Sequence, residues 1–261
     1  MNITLGFSPC PNDTFMFAAL VNGWIDTHGL TFDVHMEDVE TLNERAGHQQ
    51  LDVTKISFHR ALSLDHLYEL LSSGAALGNG CGPLLIAREM LTKEAILKGP
   101  VALPGQWTTA HLLFNLFYPE ATNKLFYPFH RIEEALIKGE VAAGVIIHEN
   151  RFTYQSKGLI KVLDLGEAWE ESTGMPIPLG GIFASKQLSE DTISLIDSLL
   201  KESILFARNN TDLVMPYVRR FSQEMDEDVI HSHISLYVND FSVDLGEKGI
   251  NAIARLKKMV P

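Results

Sequence analysis

Apolar and polar residues alternate with a period of two in residues 3–7 and again in residues 30–36. This period predicts two β-strands, the second with one polar face. Between them, residues 8–14 hold two prolines that stop a strand, followed by Asn, Asp and Thr side chains that can cap a helix. The apolar run at residues 15–21 is typical of that helix. The chain is therefore predicted to open as strand, tight loop, helix and strand.

The alternation of strands and helices continues through the middle of the chain. Apolar runs predict further strands at residues 52–56, 84–87, 101–103, 141–147 and 162–165. Helical spacing predicts helices at residues 40–48, 110–117 and 131–138, and one that follows Ser57 and carries the apolar residues of the segment 61–71. Four more are predicted at residues 193–207, 212–220, 228–238 and 245–259. We therefore expect an α/β fold with a mostly parallel sheet, whose ligands bind where the strands end.

Polar residues follow three of the predicted strands, each at the start of a helix. They lie in residues 8–14, 55–57 and 105–109. Helix N-termini present unpaired N–H groups and the positive end of the helix dipole, so they suit a carboxylate or another anion. Lys55 adds formal positive charge. Ordinary capping of the helices by Ser57 and by Thr108 or Thr109 is the alternative interpretation.

His148 stands at the end of the apolar strand predicted at residues 141–147, next to Glu149, Asn150 and Arg151. Imidazole is the side chain best suited to proton transfer near neutral pH. The sequence therefore offers His148 as a general base. A histidine that is simply hydrogen-bonded at the end of a strand is the alternative.

The other reactive residue types favour no site. Cys10 could act as a nucleophile near a helix N-terminus, but between two prolines it is more typical of packing. Cys81 is the only other cysteine, so no disulfide framework is expected. The glycine run at residues 78–82 precedes a strand instead of opening a helix, which excludes a dinucleotide fingerprint. His231 and His233 diverge on a helix, so no metal site is expected.

Composition narrows the functional classes further. The chain of 261 residues is 46% hydrophobic and 21% charged, within the range of globular proteins. With 21 basic against 33 acidic residues its formal charge is -12, which disfavours nucleic acid and anionic membranes as partners. The apolar runs are too short to span a bilayer, and residues 1–7 lack a basic signal-peptide region. We therefore expect a soluble, cytoplasmic protein.

Residues 8–15 form a distinctive motif, Ser8-Pro9-Cys10-Pro11-Asn12-Asp13-Thr14-Phe15. The motif resembles the opening segment of the 1,4-dihydroxy-6-naphthoate synthases, enzymes of the futalosine route to menaquinone. The likeness continues in order through residues 37–43, 54–57, 74–78, 108–110, 147–149, 151–154 and 237–239. Trp107 departs from it, because we expect the family to carry a smaller or histidine side chain there. The rim of the pocket is therefore expected to differ.

The resemblance implies a two-lobed α/β fold like that of type II periplasmic binding proteins, with the active site in the cleft between the lobes. The lobes are expected at residues 1–87 with 183–261 and at residues 88–182, and their closure would exclude water. The implied reaction is a carbon–carbon lyase reaction that needs no cofactor or metal. It converts cyclic dehypoxanthine futalosine, a small-molecule carboxylate, to 1,4-dihydroxy-6-naphthoate and dihydroxyacetone.

The resemblance also implies roles for individual residues. His148 is the expected general base, and the expected substrate contacts are Lys55, Ile56, Ser57, Thr108 and Thr109. Candidates of second rank are Ser8, Asn12, Asp38, Asn150 and Arg151. Two alternatives stay open: a non-catalytic small-anion binding protein, which would not need a general base, and the chorismate dehydratase of the same pathway. The chain is expected to act as a monomer or a homodimer.

Overall fold

The strands form two β-sheets. The structure is a computed structural model that describes residues 1–222 and 226–260. Its strands are β1 (Asn2–Phe7), β2 (Thr31–Met36), β3 (Val53–Ser57), β4 (Tyr68–Leu70), β5 (Ala76–Gly78), β6 (Leu84–Ala87), β7 (Val101–Leu103), β8 (Lys124–Phe126), β9 (Ala143–Ile146), β10 (Ile160–Asp164) and β11 (Ile177–Ser185). The first sheet has the order β2-β1-β3-β11-β4, with β5 paired to β11, and the second sheet has the order β10-β6-β9-β7-β8.

Helices follow most of the strands and fill the last quarter of the chain. They are α1 (Pro11–Val21), α2 (Val39–Gly47), α3 (Phe58–Ala61), α4 (Lys93–Lys98), α5 (Thr109–Phe117), α6 (Ile132–Ile137), α7 (Asn150–Thr153), α8 (Leu165–Thr173), α9 (Glu190–Asn209), α10 (Thr211–Phe221), α11 (Glu227–Tyr237), α12 (Asp240–Val243) and α13 (Gly246–Met259), with short 3-10 helices at Phe129–Arg131 and Tyr154–Lys157. The four helices predicted beyond residue 191 are confirmed as α9, α10, α11 and α13. Within the described residues, no helix combines the length and the hydropathy needed to cross a bilayer.

Both sheets are mixed. β1 pairs in parallel with β2 and β3, as the alternation of strands and helices predicts. β11 runs antiparallel to β3, β4 and β5, and β6 runs antiparallel to β9 and β10. The prediction of a mostly parallel sheet is therefore wrong. β11 was not predicted from the sequence, because Pro178, Gly180 and Gly181 interrupt its apolar pattern.

The helix predicted to follow Ser57 and to reach residue 71 is confirmed in its first turn, α3, and wrong beyond it. α3 ends at Ala61, and the leucine-rich segment continues into β4. There Leu70 pairs with Phe183 of β11, and the buried Tyr68 hydroxyl donates a hydrogen bond of 2.7 Å to the carbonyl of Leu51. Tertiary pairing thus overrides the helical spacing of the leucines.

α1 begins at Pro11, four residues before the predicted apolar run, so the predicted capping residues at positions 12–14 lie inside the helix. Proline is favoured in the first turn because its missing N–H would have no partner there. The helix is buried along nearly its whole length, and Phe17 stacks on Phe7 of β1 with ring centroids 4.5 Å apart. α1 therefore holds the loop that follows β1 in a fixed position.

The chain passes from the first sheet to the second within residues 79–83 and returns within residues 174–176. Strand pairing thus places β6, which begins at residue 84, in the second sheet, and β11, which begins at residue 177, in the first. Both crossings therefore come before the predicted lobe boundaries at residues 87 and 183. A Cβ atom on Gly82 would lie 2.3 Å from the Cα of Gly166, so the first crossing needs glycine for its close approach to α8. The boundaries of the two lobes stay a prediction.

Candidate active site

A pocket lies between the two sheets, at the ends of several strands. Its lining includes residues that belong to or follow β1, β3, β7 and β9, as the sequence predicts for a ligand site at strand ends. The cavity has a volume of about 80 Å³. The predicted site residues that line it are Asn12, Lys55, Ser57, Thr108, Thr109 and His148.

Five of the predicted site residues do not line the pocket, and Ile56 and Asp38 are two of them. Side chains alternate along a strand, so Ile56, which lies between Lys55 and Ser57 on β3, is fully buried in the core instead of lining the pocket. Asp38 is exposed and caps α2, where its carboxylate accepts hydrogen bonds from the N–H groups of Glu40 and Thr41. Neither side chain belongs to the lining of the pocket, although the charge of Asp38 acts on the nearby His148.

Lys55 forms a buried ion pair with Asp13 at the pocket wall. The Lys55 ammonium donates to Oδ1 of Asp13, and the two side chains are 8% and 0% exposed. Oδ2 of Asp13 accepts from the N–H and the hydroxyl of Ser8, and Nδ2 of Asn12 donates to Oδ1 at 2.7 Å. Ser8 therefore supports the site through Asp13, a residue that the sequence analysis treated only as a possible cap.

Ser57 is held by a side chain from α2. Its N–H donates to Oδ1 of Asn43 at 2.9 Å, and Nδ2 of Asn43 donates to its Oγ at 3.0 Å. The side chain makes no capping bond to α3, and that helix has four residues. Ser57 is therefore the N-cap residue of α3 by position, as predicted, but its hydroxyl does not cap the helix. The hydroxyl keeps its proton free of any acceptor among the described residues.

Thr108 and Thr109 begin α5 at the opposite wall. Thr108 caps the helix, because its Oγ1 accepts from the N–H of His111 at 3.2 Å and donates to the carbonyl of Gly105. The Thr109 hydroxyl donates to the carbonyl of Leu179 on β11. Both side chains are thus occupied. The N–H groups of Thr109 and Ala110 find no acceptor among the described residues, so the backbone is the part of α5 that can bind an anion.

His148 follows β9 and lies in the left-handed region of backbone conformation, with φ 58°. Its partly buried ring lines the pocket and meets the edge of Phe129, with ring centroids 5.0 Å apart. Burial, and then the nearby charge of Lys55, lower the pKa of His148 to about 4. The imidazole is therefore neutral at physiological pH, the form in which it can take up a proton.

Asn150 and Arg151 support the segment that carries His148 and do not line the pocket. Asn150 donates to Oε2 of the buried Glu133. Arg151 donates to the carbonyl of Gly82 and pairs with Asp164, whose Oδ2 lies 2.6 Å from its Nη2. These bonds connect the end of β9 to the crossing between the sheets.

The sequence analysis missed two residues of α11 that line the pocket, His233 and Tyr237. They stand one helical turn apart, with ring centroids separated by 4.6 Å. Their spacing of four on a predicted helix was visible in the sequence. It could not show which face of α11 the pocket would meet, and His233 was weighed only as a metal ligand.

Both cysteines are buried, and Cys81 also lines the pocket. Burial, and next the negative charge of Glu149, raise the pKa of the Cys10 thiol well above its usual value, and burial raises that of Cys81 to about 12. Cys10, His148 and Glu149 place their potential ligand atoms within 4.8 Å of one another. A raised pKa keeps the Cys10 thiol protonated and disfavours it as a nucleophile, and its burial fits the packing interpretation.

Next to the pocket, residues of α2 and α3 contact the loop before α5. Both carboxylate oxygens of Glu40 accept from the N–H of Trp107, at 3.0 and 3.1 Å, and the guanidinium of Arg60 lies 3.9 Å above the Trp107 ring. Nδ1 of His59 lies 3.2 Å from the carbonyl oxygen of Thr108. We call these five residues the inter-sheet contact. Trp107 belongs to this contact and not to the pocket lining.

Comparison with known proteins identifies the family. A family model described as menaquinone biosynthesis matches residues 3–261. The 1,4-dihydroxy-6-naphthoate synthase of Thermus thermophilus is 44% identical over 254 residues, which cover 97% of this chain and 92% of that protein. The chain belongs to the menaquinone biosynthesis family. A second member, the 1,4-dihydroxy-6-naphthoate synthase of Streptomyces coelicolor, is 41% identical over 260 residues, with 97% and 91% coverage.

Solved structures show the fold of the chain. A crystal structure of an Archaeoglobus fulgidus protein is 35% identical, with a TM-score of 0.94 and coverage of 99% of this chain and 96% of that one. A Candida albicans protein with the generic periplasmic binding protein fold is 12% identical, with a TM-score of 0.66 and coverage of 100% and 95%. The resemblance noted in the sequence and the periplasmic-binding-protein-like fold are both confirmed.

Proposed function

We propose that this enzyme is a carbon–carbon lyase that converts cyclic dehypoxanthine futalosine to 1,4-dihydroxy-6-naphthoate and dihydroxyacetone. The observation that carries the proposal is the position of His148, whose imidazole lines a pocket that also offers unused hydrogen-bond donors. The relatives are named as synthases of this naphthoate. The pocket thus pairs a proton acceptor with groups suited to a carboxylate.

The aromatic carboxylate of the substrate would bind where donors converge. The Ser57 hydroxyl and the first N–H groups of α5 can each donate to a carboxylate oxygen. Lys55 adds positive charge, although its ammonium is already paired with Asp13. Backbone and hydroxyl donors therefore carry most of the recognition, and the ion pair keeps the wall of the pocket close to neutral.

The chemical step follows a retro-aldol course. His148 takes the proton of a substrate hydroxyl, the C–O bond becomes C=O, and the adjacent C–C bond breaks. Its electron pair moves onto the ring as an enolate, which takes the proton back from His148. The ring then tautomerises to the aromatic naphthoate, while the three-carbon fragment leaves as dihydroxyacetone. No water, oxidant or reductant enters, because the atoms and electrons of the substrate equal those of the two products together. Aromatisation of the second ring supplies the driving force.

The direct test is to mix the purified chain with cyclic dehypoxanthine futalosine, without added metal or nucleotide. Formation of the naphthoate is followed by absorbance, and both products are identified by mass. Equimolar naphthoate and dihydroxyacetone would support the lyase assignment. Tight binding of the substrate without turnover would indicate a binding protein instead, and turnover of chorismate alone would indicate the dehydratase.

The pH dependence of kcat/KM provides a second test. Because the pKa of His148 is lowered to about 4, its base form persists as the pH falls below neutral. We expect kcat/KM to stay level from pH 7 to about pH 5 and to decline below about pH 4. A decline centred near 6.5, the ordinary pKa of histidine, would contradict the assignment.

Folding needs to be monitored alongside these rates. Between pH 6.5 and about 4 the unfolded chain binds a proton at this histidine while the folded chain does not, so stability decreases as the pH is lowered through that window. Circular dichroism at each pH separates loss of the base from loss of the fold.

Chelation tests the expectation that catalysis needs no metal. We expect dialysis against EDTA to leave kcat unchanged, because the step assigned to His148 is a proton transfer that an imidazole performs alone. A loss of activity that Zn²⁺ restores would overturn this expectation and would direct attention to Cys10 and Glu149, whose ligand atoms lie near that ring.

Movement of the two lobes, proposed at residues 1–87 with 183–261 and at 88–182, would admit the substrate. The cavity of about 80 Å³ is smaller than the roughly 300–1,000 Å³ typical of ligand pockets. We expect small-angle scattering to show a larger radius of gyration for the free protein than for the protein with 1,4-dihydroxy-6-naphthoate. Acetate serves as the control ligand, and identical scattering curves with and without the naphthoate would count against closure.

A further inference from the structure

His233 has two ring nitrogens that the protein itself does not use. The side chain is 0% exposed, and neither Nδ1 nor Nε2 has a hydrogen-bond partner among the described residues. Leaving buried polar atoms unpaired is costly, and such atoms are rare in folded proteins. Because the residue also lines the pocket, a ligand bound there can supply the partners.

The surroundings of His233 define what kind of partner it can take. Its ring centroid lies 6.3 Å from that of His148 and 6.5 Å from that of Phe152, with Tyr237 on a third side. Burial, and next the nearby His148 and Lys55, hold the pKa of His233 well below its usual value. The ring is therefore neutral and presents one N–H donor and one acceptor nitrogen.

A carboxylate only accepts hydrogen bonds, so it could satisfy one nitrogen of a neutral imidazole and would repel the other. A hydroxyl group both donates and accepts, so hydroxyl groups complement this ring. We propose that His233 is a substrate-binding residue that hydrogen-bonds a hydroxyl group on the reacting, sugar-derived part of the substrate, beside the hydroxyl from which His148 takes a proton.

The proposal rests on the proposed function, because that substrate carries its hydroxyl groups on the fragment that leaves. It also fixes the direction of the substrate in the pocket. The carboxylate points to Ser57 and the start of α5, and the hydroxyl groups point to the pair of histidines. Two neutral imidazoles then face the reacting atoms, one as the base and one as the group that positions them.

The test compares two pairs of matched variants on the same helix. His233→Phe removes both nitrogens and keeps an aromatic ring, while His233→Gln keeps one donor and one acceptor. His231→Phe and His231→Gln make the same changes at an exposed position of α11. For each chain, kcat and KM are measured with cyclic dehypoxanthine futalosine, and the Kd is measured for 2-naphthoate, which has the carboxylate and no hydroxyl.

We expect His233→Phe to lower kcat/KM by about 10- to 100-fold, the effect of leaving a substrate hydroxyl unpaired. His233→Gln should lose less, both His231 variants should behave as wild type, and the Kd for 2-naphthoate should not change. The midpoint of thermal unfolding should hold or rise in His233→Phe, because the variant no longer buries unpaired nitrogens.

Three results would overturn the proposal. An unchanged kcat/KM in His233→Phe would reject this inference and leave the proposed function standing. A parallel loss of 2-naphthoate binding and of thermal stability would show that the histidine has only a structural role. Absence of turnover by the wild-type chain would reject the proposed function and this inference with it, so the two failures are distinguishable.

Discussion

Replacing His148 by asparagine is expected to lower kcat by about 10²- to 10⁴-fold, the usual contribution of a general base. Asparagine is the substitution of choice because the residue has a φ of 58°, and asparagine adopts left-handed backbone more readily than alanine does. The variant should therefore lose the proton acceptor while the segment between β9 and α7 keeps its shape.

Steady-state kinetics with cyclic dehypoxanthine futalosine measures this loss, and the Kd for 2-naphthoate shows whether the pocket survives. His130→Asn is the matched control, since that histidine is exposed and also contacts Phe129. Retained turnover in His148→Asn would contradict the assignment of the base. A weakened affinity for 2-naphthoate would mean that the ring mainly holds the pocket together.

Replacing Asp13 by asparagine is expected to lower the free energy of unfolding by about 3–5 kcal/mol, because the buried Lys55 ammonium loses its counter-charge. Both side chains are almost fully buried, so water compensates poorly for the lost carboxylate. The hydrogen bonds from Ser8 to the same carboxylate are weakened as well. Urea denaturation measures the difference.

Two further variants separate the causes of this loss. Asp13→Asn combined with Lys55→Met should recover part of the stability, since no unpaired charge remains buried. Asp244→Asn breaks the exposed pair with Lys201 and should change stability by at most about 1 kcal/mol. A double variant no more stable than the single one would locate the loss in the bonds from Ser8 instead.

Local pattern was sufficient for the elements whose pairing partners are near in sequence. A period of two in the apolar residues predicts β1 and β2, and the apolar run between them predicts the helix that connects them. The long helices after residue 191 follow from their apolar spacing. β4 and β11 were not predictable in this way. Leu70 and Phe183 pair across more than a hundred residues, and only that pairing turns a leucine-rich helical pattern into a strand.

The site was predictable as a set of segments and less so as a set of side chains. The motif at residues 55–57 is at the pocket, but alternation along β3 directs Ile56 into the core. Asn150 and Arg151 flank the same strand end as His148 and bind Glu133 and Asp164 instead. His233 approaches from α11, and no local pattern in the sequence shows that α11 packs against the pocket.

The inter-sheet contact also bears on the rate of turnover. Glu40, His59 and Arg60 contact Trp107 and Thr108 directly beside the cavity. If the proposed lobe movement releases the product, these contacts break in each cycle before the naphthoate leaves. Product release is then a candidate for the slowest step, as in other enzymes that close over their ligands. Pre-steady-state kinetics would in that case show a burst of naphthoate equal to the enzyme concentration, and weakening the contact would raise kcat.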